Sequence, residues 1–189
     1  MTKFMKTILK SIAVIFLTAM FFSCGNSTKE IRDLLADKNL PIGIGTDISN
    51  IYTDSGVVTS KLQAPLLYDF SNRENHPYSE FTEGVRIVTL DDNNDSIVVT
   101  GNYAIIYSKT NVSEIRDHVV ITNYLEHKKL VTEQLFWDQK IKYFYTEKAF
   151  TLYTLTDTIY GVGFDASENL ESFIAKNNSG SIYLNEKDK

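Results

Sequence analysis

The chain has one cysteine, three prolines, nine glycines and three histidines among its 189 residues. A lone thiol cannot close an internal disulfide, so no covalent framework braces the fold. So few prolines leave long stretches free to form uninterrupted strand ladders. His76, His118 and His127 lie far apart, and none has a second histidine or a carboxylate at metal-ligand spacing, so they read as surface histidines beside turns. There is no Gly-x-Ser-x-Gly elbow, no phosphate loop, no Cys-x-x-Cys pair and no nucleophile with a motif around it. Carboxylates are plentiful, which leaves a glycosidase-like acid pair open without pointing to one. No catalysis, metal or cofactor is expected.

Positive charge is also scarce. The net charge is −5, and because the first 23 residues hold Lys3, Lys6 and Lys10 and no acid, the remainder is more acidic still. An acidic body argues against nucleic acid as a partner and offers no polybasic patch to anionic headgroups. A long apolar run is missing too. The best candidate, residues 8–22, contains Lys10 and is 15 residues long, where spanning a bilayer takes roughly 20. Its layout is that of a secretory signal ending in Ser23-Cys24-Gly25. Cys24 follows a small residue and is expected to be the lipidated first residue of a bacterial lipoprotein, although Phe21 stands where the motif usually has leucine. The other reading, an uncleaved signal anchor with an incidental cysteine, puts the body in the same place: outside the cytoplasm, tethered by its N-terminus.

What is abundant is Val, Ile, Thr, Tyr and Phe, the composition of an all-β fold. One unit is written twice. Val98-Val99-Thr100-Gly101-Asn102-Tyr103-Ala104-Ile105 leads through a polar turn to Arg116-Asp117-His118-Val119-Val120-Ile121. Leu130-Val131-Thr132-Glu133-Gln134-Leu135-Phe136-Trp137 leads through Asp138-Gln139-Lys140 to Glu147-Lys148-Ala149-Phe150-Thr151-Leu152. The pattern extends to Leu62-Gln63-Ala64 with Val85-Arg86-Ile87, and to Tyr160-Gly161-Val162-Gly163-Phe164 with Ser179-Gly180-Ser181-Ile182. Repetition at about 30 to 40 residues is what stacked β layers produce, since no layer buries its apolar face alone. The expectation is a twisted β-jelly roll, a trough of four stacked layers.

Alternation predicts two apolar walls. Leu62 and Ala64, Tyr103 and Ile105, and Leu135 and Trp137 stack as one, with Phe164 extending it; Val85 and Ile87, Val119 and Ile121, and Phe150 and Leu152 make the other. Walls of a folded-over sheet lie roughly 10 Å apart. That gap is either a filled core or a slot for acyl chains. Pro65 is expected to end or bulge its strand, and Asp91-Asp92-Asn93-Asn94-Asp95 to form a turn. Ile31, Leu34 and Leu35 have helical spacing, but residues 24–47 read as a linker, with the folded domain covering 48–185 and residues 1–23 as signal peptide. The ends of a stacked trough are unpaired strands, which invites partners that add strands.

These residues resemble the LptC family within the OstA-like β-trough group. The resemblance rests on Tyr52-Thr53-Asp54-Ser55-Gly56, Leu62-Gln63-Ala64-Pro65, Phe81-x-x-Gly84-Val85, His118-Val119-Val120-Ile121, Leu130-x-Thr132-Glu133-x-Leu135-x-Trp137-Asp138 and Tyr160-Gly161-x-x-Phe164, in that order. It implies a non-enzymatic periplasmic relay at the inner membrane that binds lipopolysaccharide acyl chains in its interior. The partners it implies are LptF- and LptG-like subunits of an inner-membrane ABC transporter at the N-terminal end and an LptA-like bridge protein at the C-terminal end. Gly161, matching the family's Tyr-Gly-x-x-Phe stretch, and Gly163 beside it are implied in that second docking. Two features depart from the family. Many members hold themselves by a transmembrane helix where this sequence points to a lipid on Cys24, and the acidity here gives no help with phosphates. Two further readings stand beside it: a strand-pairing interaction module with a solid core and no lipid, and an envelope hydrolase on a β scaffold.

Overall fold

The computed structural model describes residues 28–90 and 96–181. The segment expected to be a signal peptide, Cys24 and the turn expected at 91–95 lie outside the described residues. Among the described residues one helix, α1 (Thr28–Asp37), precedes eleven strands: β1 (Gly43–Asp54), β2 (Val57–Phe70), β3 (Tyr78–Phe81), β4 (Val85–Leu90), β5 (Ser96–Gly101), β6 (Tyr103–Tyr107), β7 (Val112–Asn123), β8 (Lys128–Asp138), β9 (Tyr143–Tyr153), β10 (Thr158–Ser167) and β11 (Phe173–Ser181). All pairings are antiparallel.

The long strands each serve two walls. β2 pairs with β4 through Ser60 to Gln63 and with β3 through Tyr68 to Phe70. β7 pairs with β6 through Val112 to Arg116 and with β5 through Val120 to Asn123. Since β4 pairs with β5 and β3 with β6, the six strands close into a ring at the N-terminal end. From β7 onward β8, β9, β10 and β11 follow by simple hairpins. The result is a folded-over sheet. One wall holds the β4–β5 hairpin, the C-terminal halves of β7 and β9 and the N-terminal halves of β8 and β10; the facing wall holds β3, β6 and the other halves.

Folding a strand over needs a corner, and the corners are where the alternation breaks. Asp117 and His118 both have positive φ, 61° and 55°, and the β7–β8 register slips there, between Arg116 and Val119. The β8–β9 register slips between Thr132 and Phe136, and β9–β10 at Gly163, whose φ is 83°. Extra residues of this kind are β-bulges, which bend a strand and redirect the side chains beyond them. Pro65 neither ends nor breaks β2, which runs on to Phe70. It sits where β2 changes partner from β4 to β3, the place where a missing N–H costs no ladder bond on that side.

The sheet begins at Gly43, ahead of the expected start near Ile48, and the stretch read as a linker carries α1. The helix is held from its C-terminal side. Arg73 donates from Nη1 to Ala36 O at 3.1 Å and from Nη2 to Asn39 Oδ1 at 2.8 Å, and Asn72 Nδ2 reaches Arg32 O at 3.4 Å. Helix-terminal carbonyls lack intrahelical donors, so an arginine fork is a suitable partner. Ile31 and Leu34 remain exposed.

Candidate functional site: the interior between two walls and its open edges

Eleven of the thirteen side chains assigned to the interior from the sequence are buried: Leu62, Ala64, Val85, Ile87, Val119, Ile121, Leu135, Trp137, Phe150, Leu152 and Phe164. They belong to one continuous apolar cluster with Phe81, Val99, Ala104, Ile115, Leu130 and Phe144. The ladder registers sort them into walls. Leu62 lies opposite Ile87, Ile87 opposite Val99, Val99 opposite Ile121, Ile121 opposite Leu130, and Leu130 opposite Leu152. On the facing wall Phe81 meets Ala104, Ala104 meets Ile115, and Ile115 meets Leu135, while Trp137 meets Phe144 and Phe144 meets Ala166. Leu62 therefore stands on the wall of Ile87, not the wall of Leu135 as the repeat had suggested.

Tyr103 and Ile105 are a correction. Ile97 and Val99 are the β5 residues in the core cluster, although Val98 is buried too, whereas on β6 it is Ala104, so the parity flips at Asn102. There the chain leaves one wall for the other, pinned by Asn102 N donating to Asp117 O at 2.9 Å. A one-residue slip turns a whole side-chain set over. Tyr103 and Ile105 thus share the outer face. The Tyr103 hydroxyl donates to the Glu80 carboxylate, and the Arg116 guanidinium lies 4.5 Å from the ring centroid. Burial first, and then the Glu80 hydrogen bond, push this phenol far above its ordinary range. What looked like one strand from 98 to 105 is two strands in different walls.

The walls meet through aromatic contacts. Phe150 and Phe164 have ring centroids 4.9 Å apart, and Phe164 stacks on Phe173 at 5.5 Å. Of the buried polar side chains, Ser113, Thr132 and Thr146 lie among the apolar ones and are hydrogen-bonded, while the Thr89 hydroxyl on β4 has no hydrogen-bond partner. Thr132 Oγ1 donates to Ala149 O at 2.9 Å, Thr146 Oγ1 accepts from Lys148 N at 3.0 Å, and Ser113 Oγ accepts from Gln139 Nε2 at 3.3 Å. The first two brace the corners.

Gly161 faces inward. A Cβ there would lie 2.5 Å from Asn177 O and 2.6 Å from Phe150 Cε1, so no other residue lets β11 and the Phe150 ring come this close. Gly163 supplies the left-handed turn of the β10 bulge. Among the described residues the outer sides of β1 and β11 have no strand partner. Ile44, Ile51 and Tyr52 are exposed on β1, and Ile174 on β11. No group of histidine, cysteine, aspartate or glutamate able to hold a metal occurs among the described residues. None of their helices is long and apolar enough to cross a membrane. Phe144, Ile115 and Leu130, all fully buried, were not assigned from sequence, although Phe144 alternates with Thr146 and Ile115 with Ser113 in the pattern of a half-buried strand.

An antiparallel sheet folded into an oily trough, left among the described residues with two unpaired margins, is a β-jelly roll of the trough type. The family model described as lipopolysaccharide-assembly, LptC-related, matches residues 12–180. The chain belongs to the LptC family. Its family is a periplasmic, inner-membrane-associated component of lipopolysaccharide export rather than an enzyme family, and it works with transporter and bridge partners. No curated protein matches the chain.

Proposed function

We propose that this chain is a tethered relay that accepts lipopolysaccharide from the inner-membrane ABC transporter and passes it to a periplasmic bridge protein, with acyl chains lying between the two apolar walls. The observation that carries this is the unbroken apolar ladder from Leu62 to Leu152, bounded by the unpaired edges of β1 and β11. Each CH₂ withdrawn from water contributes about 0.8 kcal/mol, so acyl chains supply affinity without help from this acidic surface. The β1 edge is the side for LptF- and LptG-like subunits. The β11 edge, shaped by Gly161 and Gly163, is the side for an LptA-like bridge, joined by strand addition. Energy comes from the transporter. The tether is a lipid on Cys24, and intact mass of the membrane-extracted protein tests it: the mass of a diacylated or triacylated chain starting at Cys24 is expected, and the mass of the uncleaved chain contradicts it.

A photocrosslinking residue at Leu135 or Phe150 is expected to capture lipopolysaccharide in cells. Adducts only at the outward Thr151 contradict the relay.

The second reading is a strand-pairing module that binds no lipid. It is favoured by the full packing of the interior, where Leu135, Leu152 and Phe144 have no exposure. It predicts partner capture through β1 or β11 with no lipid adduct.

A further inference from the structure

The filled interior and the lipid reading meet at the free margin of the trough, where the two walls approach each other away from the corners. On one wall this margin runs past the end of β4 at Leu90 and the start of β5 at Ser96 to the turn from β7 to β8. On the other it is the turn from β10 to β11. These two turns lie far apart along the ladder, yet they are tied together. Asn123 Nδ2 donates to Asn169 O at 2.7 Å, and Lys128 Nζ donates to Leu170 O at 3.0 Å. Both bonds run from side chains of one wall to backbone carbonyls of the other.

Leu170 itself is the plug. Its side chain has no exposure and belongs to the core cluster, although it sits in a surface turn. Its φ is 57°, a left-handed conformation that costs a branched-chain residue energy and persists only where the surroundings hold it. The turn is braced within itself. Leu170 N donates to Ser167 O at 2.9 Å, Ser167 Oγ donates to Asn169 Oδ1 at 2.7 Å, and Ser172 N donates to Ser167 Oγ at 3.1 Å. It is a small rigid unit joined to the opposite wall by two hydrogen bonds and one leucine.

Beside the plug is a cavity of about 330 Å³, the low end of the size range of ligand pockets. Leu90, Ile97 and Leu125 line it from one wall, and Lys142 and Glu168 from the other. Glu126 and Glu171 also line it, and desolvation raises the Glu168 carboxyl above its ordinary range.

We propose that the β10–β11 turn is a strap across the mouth of the trough, and that the cavity beneath it is the port where the end of an acyl chain enters, displacing Leu170. This rests on the lipid-relay reading above. A large polar headgroup keeps the acylated lipid outside while its chains pass in sideways, and the strap is the part of the margin that must part to admit them. The chain end takes over the apolar surroundings that Leu170 gives up, and withdrawal of Leu170 releases its left-handed turn.

The test uses the full chain extracted in detergent, with a photocrosslinking residue at Leu135 and purified lipopolysaccharide as probe. Asn123→Asp keeps the oxygen that accepts from Leu125 N and Glu126 N while removing the donor to Asn169, and Lys128→Met removes the other tie. The double variant is expected to form the adduct several-fold faster than the wild type, with the same final yield. Wild-type labelling with an unchanged rate in the double variant overturns the strap and leaves the relay standing. No labelling in either protein overturns both. Hydrogen exchange on the wild type keeps the answer independent of how the variant folds. Amides 168–171 are expected to lose protection when lipopolysaccharide is added, while unchanged protection despite an adduct at Leu135 overturns the strap.

Discussion

Gly161 shows how one atom governs an edge. The space its Cβ would need is filled by Asn177 O and the Phe150 ring, both within 2.6 Å, and the first of these is backbone of the outermost strand. Gly161→Ala is therefore expected to push β11 away from β10 or turn Phe150 off Phe164, at about 1–3 kcal/mol by the usual cost of overpacking. Thermal unfolding measures the loss; an unchanged midpoint contradicts this packing. Glu168 makes a pH prediction. Burial raises its carboxyl, with Thr89 and Lys142 offsetting part of the shift. A carboxyl whose folded pKa lies above its unfolded one stabilises the fold below the ordinary glutamate range, and that contribution is lost as pH rises through the folded value. Glu168→Gln, uncharged throughout, is thus expected to be more stable than the wild type at pH 7 to 8, with the difference vanishing toward about pH 4. Equilibrium unfolding at both ends of that range decides it; a variant less stable at neutral pH contradicts the assignment.

Single strands, taken one wall at a time, were legible. Val85 and Ile87, Val119 and Ile121, and Phe150 and Leu152 alternate cleanly, and all six are buried on the same wall. What sequence alternation cannot carry is the corner. At Asn102, at Asp117-His118 and between Thr132 and Phe136 the chain gains or skips a residue, and period-two counting across such a point assigns the wrong face. Tyr103 and Ile105 were misplaced for that reason, and Leu62 was put on the wrong wall because repeat phase says nothing of which strand half pairs with which. Gly163 is the one bulge with an evident mark, a second glycine inside a strand. The two faces of the wall that β6 and β8 share make a matched pair of predictions. Leu135→Ala, at a fully buried site opposite Ile115, is expected to cost 2–5 kcal/mol on the usual range for leucine truncation. Ile105→Ala, on the outer face, is expected to cost well under half of that. Denaturant unfolding compares them, and equal losses contradict the parity flip at Asn102.

For the whole molecule, the architecture follows from a sheet that folds over on itself and cannot close. The ring of β2, β4, β5, β7, β6 and β3 joins the two walls toward the N-terminal side, and among the described residues β1 and β11 leave an extendable edge at either end. Strand addition at β11 prolongs both walls at once, because β11 pairs with both halves of β10. A trough that lengthens by adding like units suits hand-over of a lipid along its axis. Composition foretold the all-β class, and the ordered phrases foretold the family. The closure of the N-terminal ring and the strap at Leu170 were not legible, since both depend on contacts between residues far apart in the chain.

The central claim is that acyl chains lie between the walls, and β9 offers the most direct measurement because its neighbours alternate between inside and outside. A photocrosslinking residue placed in turn at Phe150, Thr151, Leu152 and Tyr153, in cells that make lipopolysaccharide, reads the claim position by position. Strong adducts at Phe150 and Leu152 with little at Thr151 and Tyr153 are the predicted result. Adducts at all four alike, or at Thr151 and Tyr153 alone, would contradict it.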